Sequence, residues 1–254
     1  MKAVLKYPGA KNRLAKWICG FIPKHDVYLE PFFGSGAVLF NKEPVKIETI
    51  NDLDGNVINY FKVIRDNPNE LIRKLELTPY GRDEYNSAFV ECPEDDDVEK
   101  ARKFLVRCYQ GFGCSNRYKN GFRSSQQSNS PQTARLWTEF PQILSIASVR
   151  LKKVQIENLD ALELIRRYDT SDVFMYLDPP YLHSTRKNYL YKHEMTDNQH
   201  LELLELIKSH PGKILISGYE NDLYDKFLQG WNKEYKNTTA EKGIKRLEVL
   251  WMNY

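Results

Sequence analysis

The chain has 254 residues, 41% of them apolar and 13% aromatic, with a net charge of +3. That supplies a real core for one large domain or a domain with an insertion, and the charge is too small to define a partner. No run approaches the ~18 apolar residues of a membrane span, the N-terminus has no signal-peptide core, and the four cysteines show no CxxC pairing, so a membrane protein, a disulfide framework and a zinc site are all disfavoured.

Taken in chain order, residues 11–21 read as an amphipathic helix with Leu14, Trp17 and Phe21 inward. Val27-Tyr28-Leu29-Glu30 reads as a strand running into "PFFGSGAVLF", with a helix expected after the glycines. Val45–Ile50 is a second strand ending on "NDLD", and 56–66 has helical spacing. Val154–Glu157, Val173–Leu177 and Lys213–Tyr219 read as strands, and 161–168 and 197–209 as helices. Thr196 or Asp197 is placed to cap the last helix, and Pro211-Gly212 stops it. His200 reads as part of that helix's surface. "NKEYKN" and "RLEVLWMNY" are two extended segments, expected as an antiparallel pair at one sheet edge. Short strands alternating with helices imply a mainly parallel sheet covered on both faces.

Residues 67–150 break the alternation. The acidic stretch at 92–99 reads as the start of a helix over 98–109, where carboxylates favour the dipole. From Gly111 to Arg150 there are five basic residues (Arg117, Lys119, Arg123, Arg135, Arg150) and one acid, Glu139, with Phe112, Tyr118, Phe122 and Trp137 interleaved. That is the composition of a nucleic-acid contact surface; an ordinary polar subdomain is the alternative.

Two motifs carry chemistry. Gly34 and Gly36 follow the first strand, where glycine permits a tight turn and close ligand approach. Leu39 replaces the third glycine of a dinucleotide fingerprint and no GK[ST] follows, so the ligand is adenosine-like without a pyrophosphate. Asp52, ending the second strand, can accept from both ribose hydroxyls, and Asp160, past the third, can meet the adenine edge. The second motif is "DPPY" at 178–181. The Asp178 carboxylate and the Pro179 carbonyl can accept both hydrogens of an exocyclic amine. They draw its lone pair out of the ring and stabilise the charge that develops on nitrogen. Pro179 and Pro180 fix the backbone, and Tyr181 offers a face for stacking and a cation–π contribution. No metal is required; proximity to an electrophilic methyl group supplies the rest. His183 and His193 are not needed as bases, because a methylated ammonium loses its proton readily.

The stretches "KYPGAKNRLAKWI", "YLEPFFGSGAVLF", "IND", "NLDALELI", "DPPY" and "EVLWMNY" together resemble the Dam-like DNA adenine methyltransferases of the alpha group. The resemblance implies an α/β fold, a class-I (Rossmann-like) methyltransferase sheet, over 1–55 and 151–254, with a mostly helical target-recognition insertion at 56–150. It implies S-adenosyl-L-methionine as cofactor, held by Tyr7, Lys11, Glu30, Phe32, Gly34, Gly36, Asp52, Asp160 and Asp178. It implies methyl transfer to the 6-amino group of an adenine that has left the stack of double-stranded DNA. Where family members carry Asn-Gly-x-x-Arg, this chain has Gln110-Gly111 with Arg117 farther on, so a GATC target does not follow. Arg117, Lys119 and Arg123 are expected on phosphates or a guanine edge, and Arg186 and Lys187, in a loop over the displaced base, on the nearby phosphate. The expected setting is the cytoplasm of a bacterial host or phage-infected cell, in a restriction-modification or phage context, with a monomer sufficient. RNA adenine or protein amide methylation and a catalytically silent DNA-binding relative are the alternatives; a nicotinamide oxidoreductase is disfavoured by Leu39.

Overall fold

Side-chain alternation in the strands sorts the apolar residues onto the two faces of one sheet. The computed structural model describes residues 1–113, 118–127, 132–185, 191–239 and 245–254. Within them run β1 (Val27–Glu30), β2 (Ile47–Asn51), β3 (Val154–Glu157), β4 (Val173–Leu177), β5 (Lys213–Tyr219), β6 (Asn232–Thr239) and β7 (Lys245–Met252). Their order is β3-β2-β1-β4-β5-β7-β6. The first five are parallel in the doubly wound order, and β7 pairs antiparallel with both β5 and β6, as expected for the closing strand pair. This is a Rossmann-like sheet closed at one edge by an antiparallel strand pair.

Tyr28, Ile50, Phe174, Tyr176, Leu215 and Leu250 lie in one core cluster. Their strand neighbours Leu29, Met175, Leu177, Ile216, Val249 and Trp251 lie in the other. Period two therefore feeds two layers. The second cluster is completed by α8 (Ala161–Arg167), α9 (Asp197–Lys208) and α10 (Asp222–Phe227). The first is covered by α1 (Ala15–Cys19), α2 (Gly55–Asp66), α5 (Asp97–Gln110) and α7 (Phe140–Leu151), which bring Ile18, Phe61, Leu105 and Leu144. Three shorter helices, α3 (Pro68–Glu76), α4 (Arg82–Ser87) and α6 (Thr133–Trp137), complete the middle region. Composition sets 56–150 apart, yet the helices of that stretch share the core of the sheet.

Side chains at the helix starts absorb orphan N–H groups. Asp54 accepts from Asn56 N, Asp96 from Glu99 N, and Asp160 from Leu162 N and Glu163 N. Thr196 forms a capping box with Gln199. Each such cap contributes about 1 kcal/mol.

Two expectations are corrected. Residues 37–41 form turns, not a helix: Phe40 N reaches Gly36 O and Lys42 N reaches Val38 O, but Asn41 N between them bonds Val38 O with a three-residue span. Bracketed by Gly36 and Pro44, the run is too short to propagate. His200 is not on a surface; it is fully buried and its Nδ1 pairs with the Tyr224 hydroxyl at 2.9 Å. Among the described residues no helix is long and apolar enough to cross a membrane.

Candidate active site

The sheet order reverses between β1 and β4, and a ligand crevice is expected outside the carboxyl ends of strands at such a point. The main pocket opens there. Its wall takes Glu30 from the end of β1, Asp52 after β2, Asp160 after β3 and Asp178 after β4. The N-terminal segment 7–11 and the loop 191–195 cover it. Four acids therefore converge because each ends or follows a parallel strand.

The glycine loop is held from beneath. Asn51, fully buried, donates to Pro31 O at 2.9 Å and to Leu159 O at 3.1 Å, and accepts from Leu159 N at 2.8 Å. One carboxamide thus ties the loops after β1 and β3 to β2. Asp52 accepts from Gly34 N at 2.8 Å and from Asp54 N at 2.9 Å. Gly34 has φ 48°, and a Cβ there would stand 3.2 Å from the Tyr7 ring. Gly36, φ 68°, is needed for another reason: a Cβ would strike Phe33 at 2.4 Å. Phe32 lies half-buried in the wall, whereas Gly36 shapes the turn behind it.

Burial governs the acids. Glu30 is pushed up to about 8, by burial first; the hydrogen bond from Tyr28 at 2.7 Å opposes this and the Asp178 charge adds to it. Burial lifts Asp52 to about 6 against its backbone hydrogen bonds. Tyr7 is also pushed up by burial, with Asp52 and Asp54 contributing, and its hydroxyl lies 3.5 Å from Asp54 Oδ2.

At the end of β4, Asp178 is engaged on both oxygens. Lys11 Nζ lies 2.8 Å away, and Ser217 Oγ donates to Oδ1 at 2.9 Å. Burial works against the Lys11 ammonium, but Asp178 and then Glu248 outweigh it and hold its pKa above the ordinary lysine range. Lys11 Nζ also lies 4.7 Å from the Tyr181 ring centroid and 3.7 Å from Glu248. The Tyr181 hydroxyl donates to Glu248, and its ring meets Tyr219 edge-on at 4.7 Å between centroids. Pro179 is buried and Pro180 lines the pocket. Lys11, placed by sequence in a helix, sits in the turn before α1 and reaches across 167 positions to Asp178.

The structure thus gathers Tyr7, Lys11, Glu30, Phe32, Gly34, Asp52, Asp160, Asp178 and Pro180 around one pocket, with Tyr181 beside it. Asp160 is exposed, and its Oδ1 caps α8. Sequence reasoning missed Glu248, Ser217, Asn51 and Tyr191. Glu248 had a signal: a lone carboxylate on the face of β7 shared with Leu250 and Met252 must find a partner.

Of the expected DNA-contacting residues, Lys119 and Arg123 are described. Gly111 and Phe122 form an antiparallel bridge, with Phe112 N bonded to Gly121 O and Arg123 N to Gln110 O, each at 2.8 Å. Phe112 and Tyr118 are exposed. Lys119 is exposed, with Nζ 5.4 Å from the Phe89 ring centroid, and Arg123 is half-buried. Gln110 is turned away, accepting from Gly81 N and donating to Pro79 O. Arg117, Arg186 and Lys187 lie outside the described residues.

The model of the D12 class N6 adenine-specific DNA methyltransferases matches residues 7–243. The chain is 28% identical over 308 residues to the type II methyltransferase M.MjaIII of Methanocaldococcus jannaschii, covering 100% of this chain and 99% of the relative. It is 24% identical to the type II methyltransferase M1.LlaDCHI of Lactococcus lactis subsp. cremoris, covering 100% and 96%. A DNA adenine methylase of Vibrio cholerae is 25% identical over 71% of this chain and 65% of its own length. Among solved structures, a putative methyltransferase, yhhF, of Escherichia coli aligns at a TM-score of 0.40 and 11% identity, covering 95% and 82% of the two chains.

Proposed function

Because the chain belongs to the D12 class of N6 adenine-specific DNA methyltransferases, we propose that the pocket at the β1/β4 crevice binds S-adenosyl-L-methionine and that Asp178 receives the amino group of a target adenine in double-stranded DNA. When bound, the cofactor supplies an electrophilic methyl group on a sulfonium. The pocket fits such a group: its lining carries the acids Asp52, Asp54, Asp160, Asp178 and Glu194 besides the buried Glu30, its apolar surface includes Phe32, Phe33 and Leu162, and the backbone N–H of Gly34 is already spent on Asp52. A cationic nucleoside suits that lining, and a pyrophosphate does not.

The observation that carries the reading is the setting of Asp178. A carboxylate has about four acceptor positions. Lys11 and Ser217 orient it and leave acceptor capacity facing the pocket. An amine N–H aimed there loses conjugation with its ring and gains stabilisation as positive charge develops. Pro179 and Pro180 keep the carboxylate from swinging away. Lys11 lies over the Tyr181 ring, so a stacked base takes the ring's other face or displaces the ammonium toward Glu248, its second carboxylate.

In this reading, residues 1–55 and 151–254 carry transfer and 56–150 carries target recognition, with the bridged Gly111 and Phe122 toward the duplex. Exposed Phe112 and Tyr118 offer apolar faces, and Lys119 and Arg123, with Arg117, Arg186 and Lys187, offer charge to phosphates. Purified protein with tritiated cofactor should label unmethylated duplex DNA at adenine and leave RNA unlabelled. Labelling of RNA in preference would overturn the assignment.

A further inference from the structure

Glu248 is 3% exposed and sits in β7 between Leu247 and Val249, opposite Tyr219 of β5. A carboxylate buried in an apolar strand is costly unless paired. Its partners are the Tyr181 hydroxyl, which donates to Oε1, and Lys11 Nζ at 3.7 Å. Arg246, two residues earlier on the same strand, lies 5.5 Å from the Tyr219 ring, which in turn meets Tyr181 edge-on. The Tyr181 ring is therefore held at its hydroxyl by Glu248, over one face by Lys11 and along its side by Tyr219. A tyrosine side chain has two rotatable bonds, and fixing its tip removes the ring's freedom to tilt. β7 reaches this point only because it inserts antiparallel beside β5, so the last strand of the chain acts on the residue that ends the DPPY motif.

We infer that Glu248 is a positioning residue for methyl transfer: by anchoring the Tyr181 hydroxyl, it sets the plane of the ring against which the target base lies. The inference rests on the reading of Asp178 and Tyr181 as the transfer site. Glu248 itself touches neither base nor cofactor; it acts through Tyr181.

The test is a double-mutant cycle with Glu248→Gln and Tyr181→Phe, using tritiated cofactor and DNA from a methylation-deficient host, with Asp178→Ala alongside. Each single variant should lower kcat about tenfold and leave the Kd for S-adenosylhomocysteine within about twofold of wild type, since the lost interaction orients the base and not the cofactor. The double variant should be no more than about threefold slower than the slower single, because both changes cut the same tether. Multiplying losses, wild-type turnover in Glu248→Gln, or a parallel collapse of cofactor affinity would each overturn the inference. If Glu248→Gln does not fold, Glu248→Asp replaces it, and the same criteria apply to its cycle with Tyr181→Phe. Asp178→Ala separates the two levels: if it turns over normally, the transfer site itself is misassigned, whereas a dead Asp178→Ala with multiplying losses in the cycle removes Glu248 alone.

Discussion

Replacing Glu30 with Gln should flatten the dependence of stability on pH. Glu30 is 2% exposed, and burial lifts it from 4.5 to about 8. Its folded pKa is raised, so the native state holds a proton that the unfolded chain releases. Below about pH 4.5 the group is protonated in both states and its contribution is complete. Between there and pH 8 the native state binds the extra proton, and unfolding becomes easier by about 1.4 kcal/mol per pH unit. Above pH 8 the loss is complete. From pH 5.5 to 7.5 Glu30 therefore removes about 3 kcal/mol, a large part of the roughly 5–15 kcal/mol that holds a domain folded. Asp52, raised to about 6, adds a loss of the same sign up to that pH, and His25, lowered by burial, acts in the opposite sense as pH falls. Comparing wild type with Glu30→Gln cancels both. Urea unfolding followed by fluorescence of the four tryptophans at pH 5.5, 6.5 and 7.5 measures the difference. The variant should lose about 3 kcal/mol less than wild type across that range. Parallel pH profiles would refute a protonated Glu30 in the folded protein.

Gly9→Ala should lower stability by about 1–3 kcal/mol, because Gly9 has φ 69° and a Cβ there would stand 2.1 Å from the Tyr191 hydroxyl. Adding Tyr191→Ala removes the collision but not the backbone strain, so thermal melts of the Gly9→Ala/Tyr191→Ala pair should show a Gly9 effect reduced to about 1 kcal/mol; an undiminished effect contradicts the contact. Replacing Arg117, Lys119 and Arg123 together with Ala should weaken duplex binding and reduce the slope of log K against log salt by up to about 2.7, from about 0.9 per phosphate contact. Unchanged binding in a fluorescence-anisotropy titration removes these residues from the interface. Asn51→Ala should destabilise by about 2–4 kcal/mol, since it leaves the Leu159 N–H and the Pro31 and Leu159 carbonyls without their shared partner; a melt within about 0.5 kcal/mol of wild type would contradict a clamp.

The central sheet was readable because its strands obey local rules. Val173–Leu177 is apolar at every position, as a parallel strand buried on both faces must be, and its boundaries match those read from sequence. Gly34, Asp52 and Asp178 were legible because strand ends and a glycine turn announce themselves in neighbouring residues. What the sequence concealed depends on distant partners. Lys11 looks like a helix residue until the fold brings Asp178 to it. Glu248 makes sense only once β7 inserts beside β5 and Tyr181 arrives above it. His200 fits a helix surface by spacing, and burial beneath Tyr224 follows from how α9 and α10 pack. The apolar run after Gly36 imitates a helix, but its length cannot sustain one.

Asp178→Ala tests the central claim most directly, with methyl incorporation into unmethylated duplex DNA and S-adenosylhomocysteine binding measured on the same preparation. Removing the acceptor should cut incorporation at least about 100-fold while the Kd stays within a few-fold of wild type. Incorporation at the wild-type rate would contradict it.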